Sequence, residues 1–256
     1  MKGKIIAVAN QKGGVAKTTS VGAVGSLLSE RGYKVLLVDL DTQANLTATF
    51  LQEEPSATIY GAMRGEYRLP QVNVKSGLYI VPSSADLGRI ETDLAGTAER
   101  EYILRDLLQS VAPDYNFILL DCPPSLGLIT RNAFVAANSV LIPLTAEALP
   151  AQGLNKVEAL IEETRAANKQ LSLCGVFLTR WENSRLSNRI EQLLRQSYGS
   201  KVFSSRIRKN IAIAEAPLLQ MDIIEYAPGS NGARDYRALT EELLQKLGID
   251  KGSSEK

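Results

Sequence analysis

The 256-residue sequence contains no histidine, so histidine-based triads, histidine metal sites and histidine proton shuttles are excluded. Cysteine is nearly absent as well. Cys122 and Cys174 both fall in apolar, strand-like runs, which suits buried thiols in a reducing cytosol better than a disulfide framework. No run of about 18 apolar residues occurs, so no membrane-spanning helix is expected. The N-terminal MKGKIIAVAN has an apolar core too short for a signal peptide, and the C-terminal IDKGSSEK lacks the basic, bulky-apolar face of a membrane-seeking helix. A cytoplasmic location without membrane attachment is expected. Net charge is missing too: 29 basic residues against 28 acidic ones leave +1, so nucleic-acid contact would have to come from a local patch.

What is present is a regular alternation. Apolar runs at 4–10, 34–41, 78–83, 116–123, 139–145 and 171–179 read as strands, and their continuous hydrophobicity points to burial on both faces. Helical patterns at 17–31, 98–111, 127–137, 150–168, 184–198 and 232–248 lie between and after them. This order predicts an α/β fold: a single domain over residues 1–249 with a mostly parallel twisted sheet, helices on both faces and right-handed crossovers. Residues 50–76 are the least regular segment and are expected to form a loop and short helix at the sheet edge; residues 250–256 are expected to form a disordered tail.

The most informative stretch is NQKGGVAKTTS, residues 10–20, which follows a predicted strand and opens a predicted helix. Aligned on Lys17 and Thr18, the phosphate-loop pattern G-x-x-x-x-G-K-[ST] would require glycine where Gln11 and Ala16 stand, and an additional lysine, Lys12, begins the loop. Backbone N–H groups bent by Gly13 and Gly14 and running through Val15 and Ala16 can cradle phosphate oxygens, with the positive end of the helix behind them. Lys17 would reach the β- and γ-phosphates, Thr18 would offer a hydroxyl to Mg²⁺, and Thr19 would meet an α-phosphate oxygen. A methyl at Ala16 is compatible with this loop if its φ is negative, and nucleotide binding is expected to survive it.

KGGVAKTTS resembles the deviant Walker A loop, K-G-G-x-x-K-[ST], of the ParA/MinD ATPases. The resemblance implies that Lys12 crosses a dimer interface to the partner's ATP, where two facing γ-phosphates need cations between them. VLLVDLDTQANLT, residues 35–47, is similar to the family's second strand and first switch; Asp41 would orient the attacking water, and Asp39 would help organise Mg²⁺ and the loop. FILLDCPPSLG, residues 117–127, resembles Walker B and the second switch, which makes Asp121 a Mg²⁺ residue acting through water. Lys12, Lys17 and Asp41 are thus the implied catalytic residues, with ATP and Mg²⁺ as cofactors. RIRKNIAIAEAP, beginning at Arg206, is similar to the family's P-R-N-x-x-x-x-E-A-P segment; Asn210 is the implied adenine contact, and Arg208 replaces the proline.

The same resemblance implies an ATP-dependent homodimer, nonspecific DNA binding, nucleoid association, and release when a ParB-like centromere-binding or cargo-adaptor protein stimulates hydrolysis. Residues 179–210 carry a dense set of cations with only two acidic residues; Arg180, Arg185, Arg189, Arg195, Lys201, Arg206 and Lys209, with Arg234 further on, are the candidate DNA contacts. With the first strand beginning so early, no N-terminal helix-turn-helix domain is expected. A membrane oscillator of the MinD type would need the C-terminal membrane helix that is missing here, and an iron–sulfur reductase would need two exposed, suitably placed cysteines. A positioning ATPase for another cargo, such as a carboxysome or chemoreceptor cluster, and an ATP-binding adaptor without appreciable hydrolysis remain as alternatives.

Overall fold

Eight segments of the chain pair into one sheet in the order β3-β4-β2-β5-β1-β6-β7-β8. The computed structural model describes residues 3–146 and 151–249. In chain order the elements are β1 (Lys4–Val8), α1 (Lys17–Glu30), β2 (Val35–Asp39), α2 (Asn45–Phe50), α3 (Ile59–Met63), β3 (Val72–Lys75), β4 (Leu78–Val81), α4 (Ile90–Asp93) and α5 (Ile103–Gln109). They continue with β5 (Phe117–Asp121), α6 (Leu128–Ala136), β6 (Ser139–Thr145), α7 (Ala151–Thr164), β7 (Ser172–Trp181), α8 (Arg185–Tyr198), β8 (Val202–Arg208), α9 (Ile211–Glu215), α10 (Ile223–Tyr226) and α11 (Asn231–Lys246). Every strand pairing is parallel except that of β3 with β4.

The strands read as unbroken apolar runs because each feeds two cores. Along β1, Ile6 and Val8 point to one face and Ala7 to the other; along β5, Phe117 and Leu119 oppose Ile118 and Leu120. One core is closed by α1, α2, α10 and α11 through residues such as Leu27, Leu46, Ile223 and Tyr236. The other is closed by α3 to α8 through Met63, Ile90, Leu104, Phe134, Leu160 and Ile190. Strand-period alternation hidden inside continuous hydrophobicity is the signature of a sheet covered on both sides.

All six expected strands and all six expected helices are present, most with shorter ends: the 98–111 helix is α-helical only from Ile103, after a 3₁₀ turn at Arg100–Tyr102, whereas β7 runs on to Trp181. The irregular segment 50–76 does hold a short helix, α3, and the sheet-edge strand β3. Two strands were not expected. Edge strand β3, with the sequence VNVK, has no fully buried residue, and β8 reads VFSSRIR, in which serines and arginines mask the pattern. The serines make sense structurally: the N–H groups of Ser204 and Ser205 donate to the Glu242 carboxylate on α11 at 2.7 and 2.8 Å, which occupies part of the sheet's open edge. The expected tail at 250–256 lies outside the described residues.

For the site, the decisive feature is the position of β1 between β5 and β6. The chain leaves β1 and crosses to β2 on one side, and later crosses back over it to β6 on the other. At such a reversal the loops leaving the carboxyl ends of neighbouring strands diverge and open a crevice, where sheets of this kind place ligands. Among the described residues no helix is long and apolar enough to cross a membrane.

Candidate functional site

The loop leaving β1 is pinned from below by side chains that leave its upper rim open. Asn10 is buried; its Nδ2 donates to the Pro143 carbonyl at 2.7 Å and its Oδ1 accepts the Lys12 N–H at 2.9 Å. On the far side, the Thr179 hydroxyl of β7 donates to the Val15 carbonyl at 3.2 Å. Gly13 and Gly14 are exposed, a Cβ at either would meet nothing within 4 Å, and Gly14 has φ +70°. Their backbone can therefore approach a phosphate closely from the solvent side.

Ala16 departs from the expectation of a negative φ. It sits at φ 69° and ψ 33°, as the N-cap of α1, and offers no side-chain cap. An L-residue with a Cβ in this left-handed region costs about 1–2 kcal/mol relative to the right-handed one. The first turn of α1 holds the strain in place: the Ala16 carbonyl accepts from Ser20 Oγ at 2.6 Å, and Ser20 Oγ lies 3.1 Å from the buried Tyr236 hydroxyl of α11.

Lys17 opens α1 and is buried to 7% exposure, its Nζ donating to the Lys12 carbonyl at 3.3 Å. Burial depresses its ammonium, and Asp121, Cys122 and Asp41 oppose that shift. Asp121, the last residue of β5, is 1% exposed, and neither of its carboxylate oxygens has a partner at full hydrogen-bond geometry. Burial and the neighbouring Asp39 hold its carboxyl well above the usual range, against the pull of Thr18 and Lys17. Buried carboxylates in folded proteins are nearly always satisfied, so an orphaned one beside a lysine and a threonine hydroxyl marks a place for a cation. Among the described residues no group of three His, Cys, Asp or Glu side chains could hold a metal alone. Mg²⁺ keeps most of its shell for water and phosphate and takes only one or two protein oxygens.

Asp39, paired in register with Asp121, is anchored on the loop that follows β2. It is fully buried; Oδ1 accepts the Asp41 N–H at 3.1 Å, and Oδ2 accepts the Thr47 N–H and hydroxyl at 2.8 and 2.7 Å. Burial pushes its carboxyl up to about 6 despite these hydrogen bonds. Both oxygens are thus committed to the loop after β2. Asp41 is held by its backbone from two directions, because its carbonyl also accepts from Ser83 Oγ at 2.8 Å, while its Oδ1 takes only the nearby Gln43 N–H at 3.0 Å. Thr47 and Ser83 are the residues that sequence reasoning missed here. Ser83 is a hydroxyl just past an apolar strand, whereas Thr47 sits inside α2 with no such signal.

A cavity of about 630 Å³ continues from the loop, bounded by Gly14, Ala16 and Thr19 on one side and by Thr179, Ile207, Asn210 and Ile213 on the other. Asn210 therefore lies on the same crevice as the phosphate loop, although its Oδ1 also caps α9 by accepting the Ala212 N–H at 2.9 Å. Arg208 lines the same cavity, and its guanidinium grips Asp235 of α11, with the shortest bond at 2.6 Å. Lys12 is exposed at the loop's start, its Nζ 3.3 Å from Thr145 Oγ1 at the end of β6.

Several members of the expected basic patch are engaged by other side chains. Arg195 and Arg206 converge on the same Glu191 oxygen at 2.8 and 2.7 Å, and Arg206 also stacks over the Trp181 ring at 4.8 Å. Lys209 pairs with Glu182 at 3.0 Å. Arg234 belongs to α11, which packs on the opposite face of the sheet from α8. Arg180 lines the 630 Å³ cavity. Arg185 and Arg189 on α8, with Lys201 just beyond it, are exposed and remain as the local cationic group. The two acidic residues of this segment carry more weight than their number suggests, because each sits within ion-pair reach of one or two cations.

Fold and loop together define the class: a P-loop NTPase fold whose loop begins with an extra lysine. The family described as "AAA domain" matches residues 3–173. The Soj protein of Thermus thermophilus, named a chromosome-partitioning ATPase, is 39% identical over 246 residues, covering 94% of this chain and 96% of that protein. The chromosome partitioning protein ParA of Caulobacter vibrioides is 34% identical over 252 residues, covering 95% and 94%. Among solved structures, a Mycobacterium smegmatis protein described as a cobyrinic acid a,c-diamide synthase with bound ATP analog and magnesium superposes with a TM-score of 0.83 at 31% identity, covering 96% of each chain. The chain belongs to the ParA/Soj family.

Two outcomes are expected from the geometry. Ala16→Gly relieves the left-handed N-cap and should raise the unfolding free energy by up to about 1 kcal/mol in urea titrations, after the flexibility glycine adds to the unfolded chain; a loss of stability would mean the methyl packs favourably. Burial alone would raise the Glu191 carboxyl, but Arg206 and Arg195 outweigh it and hold it below the ordinary range. Its stabilising contribution is therefore complete above the unfolded value near pH 4.3 and is lost as pH falls below that. Glu191→Ala should cost about 1–3 kcal/mol at pH 7, with the gap to wild type closing in acid; a gap independent of pH would show that the ion pairs are not its source.

Proposed function

We propose that this protein is an ATP-dependent partition ATPase: it binds ATP, dimerises through it, holds DNA without sequence preference, and lets go when a cargo-bound partner stimulates hydrolysis. The observation that carries the reading is Asp121, a buried carboxylate with no partner at full hydrogen-bond geometry, set beside Lys17 and Thr18 at the mouth of a glycine-bent loop. The family membership and the nucleotide and magnesium bound by the Mycobacterium smegmatis protein support it.

In this reading the N–H groups of Gly13 through Thr18 cradle the phosphates, and Lys17 exchanges its contact with the Lys12 carbonyl for the β- and γ-phosphate oxygens. Thr18 and Asp121 would hold Mg²⁺, Asp121 through water, with Asp39 behind them fixing the loop. When bound, the ion would neutralise charge on the phosphate groups. Thr19 meets the α-phosphate, and Asn210 lies on the base side of the cavity. Asp41 orients the attacking water; since its backbone is clamped by Asp39 and Ser83 while its carboxylate carries only one local bond, the group is positioned yet available. Phosphoryl transfer to water asks mainly for such positioning and for charge neutralisation.

Lys12 is the cation lent across the two-fold axis. Its backbone is fixed by Asn10 and its side chain is exposed, so it can leave Thr145 for a partner's phosphates at little cost. Each protomer then supplies one cation to the other's nucleotide, and dimerisation depends on ATP. Slow intrinsic turnover is expected, because among the described residues no arginine stands ready in the loop to serve as a finger in cis. DNA contact falls to Arg185, Arg189 and Lys201, doubled in the dimer, which places the protein on the nucleoid with a ParB-like activator and a chromosome or plasmid as cargo.

Sedimentation with a nonhydrolysable ATP analogue tests the dimer. Lys17→Ala should lose nucleotide binding altogether, whereas Lys12→Ala should bind as wild type and stay monomeric; equal dimerisation by the Lys12 variant would remove the trans role. Gel retardation across a salt series tests the DNA surface. The Arg185→Ala, Arg189→Ala double variant should bind more weakly, with a log–log salt slope lower by about 2 per protomer, and unchanged binding would move the footprint elsewhere.

A further inference from the structure

The segment that leaves β4 touches both loops that carry the acidic residues. It begins at Ser83, which is 2% exposed. Ser83 donates its hydroxyl to the Asp41 carbonyl at 2.8 Å and its N–H to Thr47 Oγ1 at 2.9 Å, so it grips the first loop at two points. A 3₁₀ turn, Ala85–Arg89, comes next. Within it Gly88 runs along the same loop, close enough that a Cβ there would lie 3.7 Å from Thr42 Cγ2. The turn leads directly into α4, anchored by Leu87 and Ile90, both fully buried.

From α4 the Glu91 side chain reaches the second loop. Its Oε1 accepts the Leu128 N–H at 2.8 Å, at the first residue of α6. The N-cap residue of α6 is Gly127, which makes no side-chain cap of its own. A Cβ on Gly127 would lie only 2.2 Å from Glu91 Oε1, so the glycine leaves the space that the carboxylate occupies. A helix of nine residues thus takes its N-terminal anion from a different element. Seven residues before Leu128 stands Asp121.

We infer that Ser83–Asp93 is a strut that couples the two acidic loops, with Glu91 as a positioning residue: its cap on α6 fixes the 122–127 segment relative to the Asp41 loop that Ser83 holds. The inference rests on the nucleotide-hydrolysing reading of the site for its consequence, but the coupling itself is a property of the chain. Glu91 touches none of the residues that meet phosphate. Its removal therefore leaves nucleotide affinity in place and disturbs the relative placement of Asp41 and Asp121, on which the rate depends.

Amide hydrogen exchange on the full chain, with steady-state ATP turnover and nucleotide affinity measured beside it, decides the matter. Glu91→Ala should speed exchange across 122–131 by about fivefold to tenfold, the effect of losing a helix cap. The coupling predicts a rise, smaller but clear, across 41–47 as well. Turnover should fall at least about tenfold with nucleotide Kd unchanged within about twofold. Gly127→Ala should reproduce all of this by displacing the carboxylate, and the double variant should be no worse than either single one. Glu91→Gln, which keeps an acceptor oxygen, should restore most of the rate and guards against a folding defect. Loosening confined to 122–131 would reduce Glu91 to a local cap and overturn the strut, as would wild-type turnover in Glu91→Ala. A wild-type protein that hydrolyses no ATP would instead sink the functional reading, and the 41–47 exchange would still decide the coupling.

Discussion

The site is organised around a buried carboxyl that the protein does not fully satisfy by itself. Asp121 ends β5 in the middle of the sheet with neither oxygen in a hydrogen bond of full geometry, next to a lysine whose own charge is penalised by burial. Two ionisable groups kept in a poorly solvating place cost stability, and such an arrangement persists where a ligand completes it. A cation bound through a triphosphate is a natural complement: the metal answers the carboxylate and the phosphates answer Lys17. The rest of the local structure keeps the loops that meet these groups in register, with Asn10 and Thr179 beneath the phosphate loop and Asp39, Thr47 and Ser83 beneath the Asp41 loop.

The topology explains why these groups meet. Asp39 and Asp121 are paired in register on adjacent strands, and Val8 is paired with Asp121 on the other side, so three consecutive strands end at the same height. A crossover sheet with β1 at its reversal delivers three loops to one crevice, and chain segments distant in sequence need only short side chains to bind one another. The left-handed Ala16 and the open Gly13–Gly14 rim are local consequences of turning the chain from strand to helix in eight residues while presenting N–H groups outward. Function and strain share the same few positions, as is common where a site is preorganised.

Much of this was legible in the sequence because it is local. Lys17, Thr18, the two glycines and the strand-terminal Asp121 are recognisable from spacing and from the strand and helix around them, and the doubly covered sheet can be read from unbroken apolar runs. What was not legible depended on partners far along the chain. The sequence places Asp39 at a strand end but does not show that Thr47 binds its carboxylate and that Ser83 in turn holds Thr47. That one glutamate, Glu191, engages both Arg195 and Arg206 is likewise beyond what the density of cations in the sequence can show. The strand β8 is hidden because its serines serve a sheet edge held by Glu242, and Glu91 gave no sign because a cap supplied by another element leaves no mark near the helix it caps. The sign of φ at Ala16 is likewise a property of the loop as a whole.

The central claim is that Asp121 is a liability in the nucleotide-free protein and an asset once magnesium and ATP are bound. Calorimetric unfolding of wild type and Asp121→Asn, each alone and with saturating MgATP, measures both halves at once. A ligand at about a hundred times its Kd stabilises the folded state by about 2.7 kcal/mol. The account predicts that Asp121→Asn is at least as stable as wild type alone at neutral pH, and that most of the increment from MgATP disappears in the variant. A variant that is less stable alone yet gains as much from MgATP as wild type would contradict it.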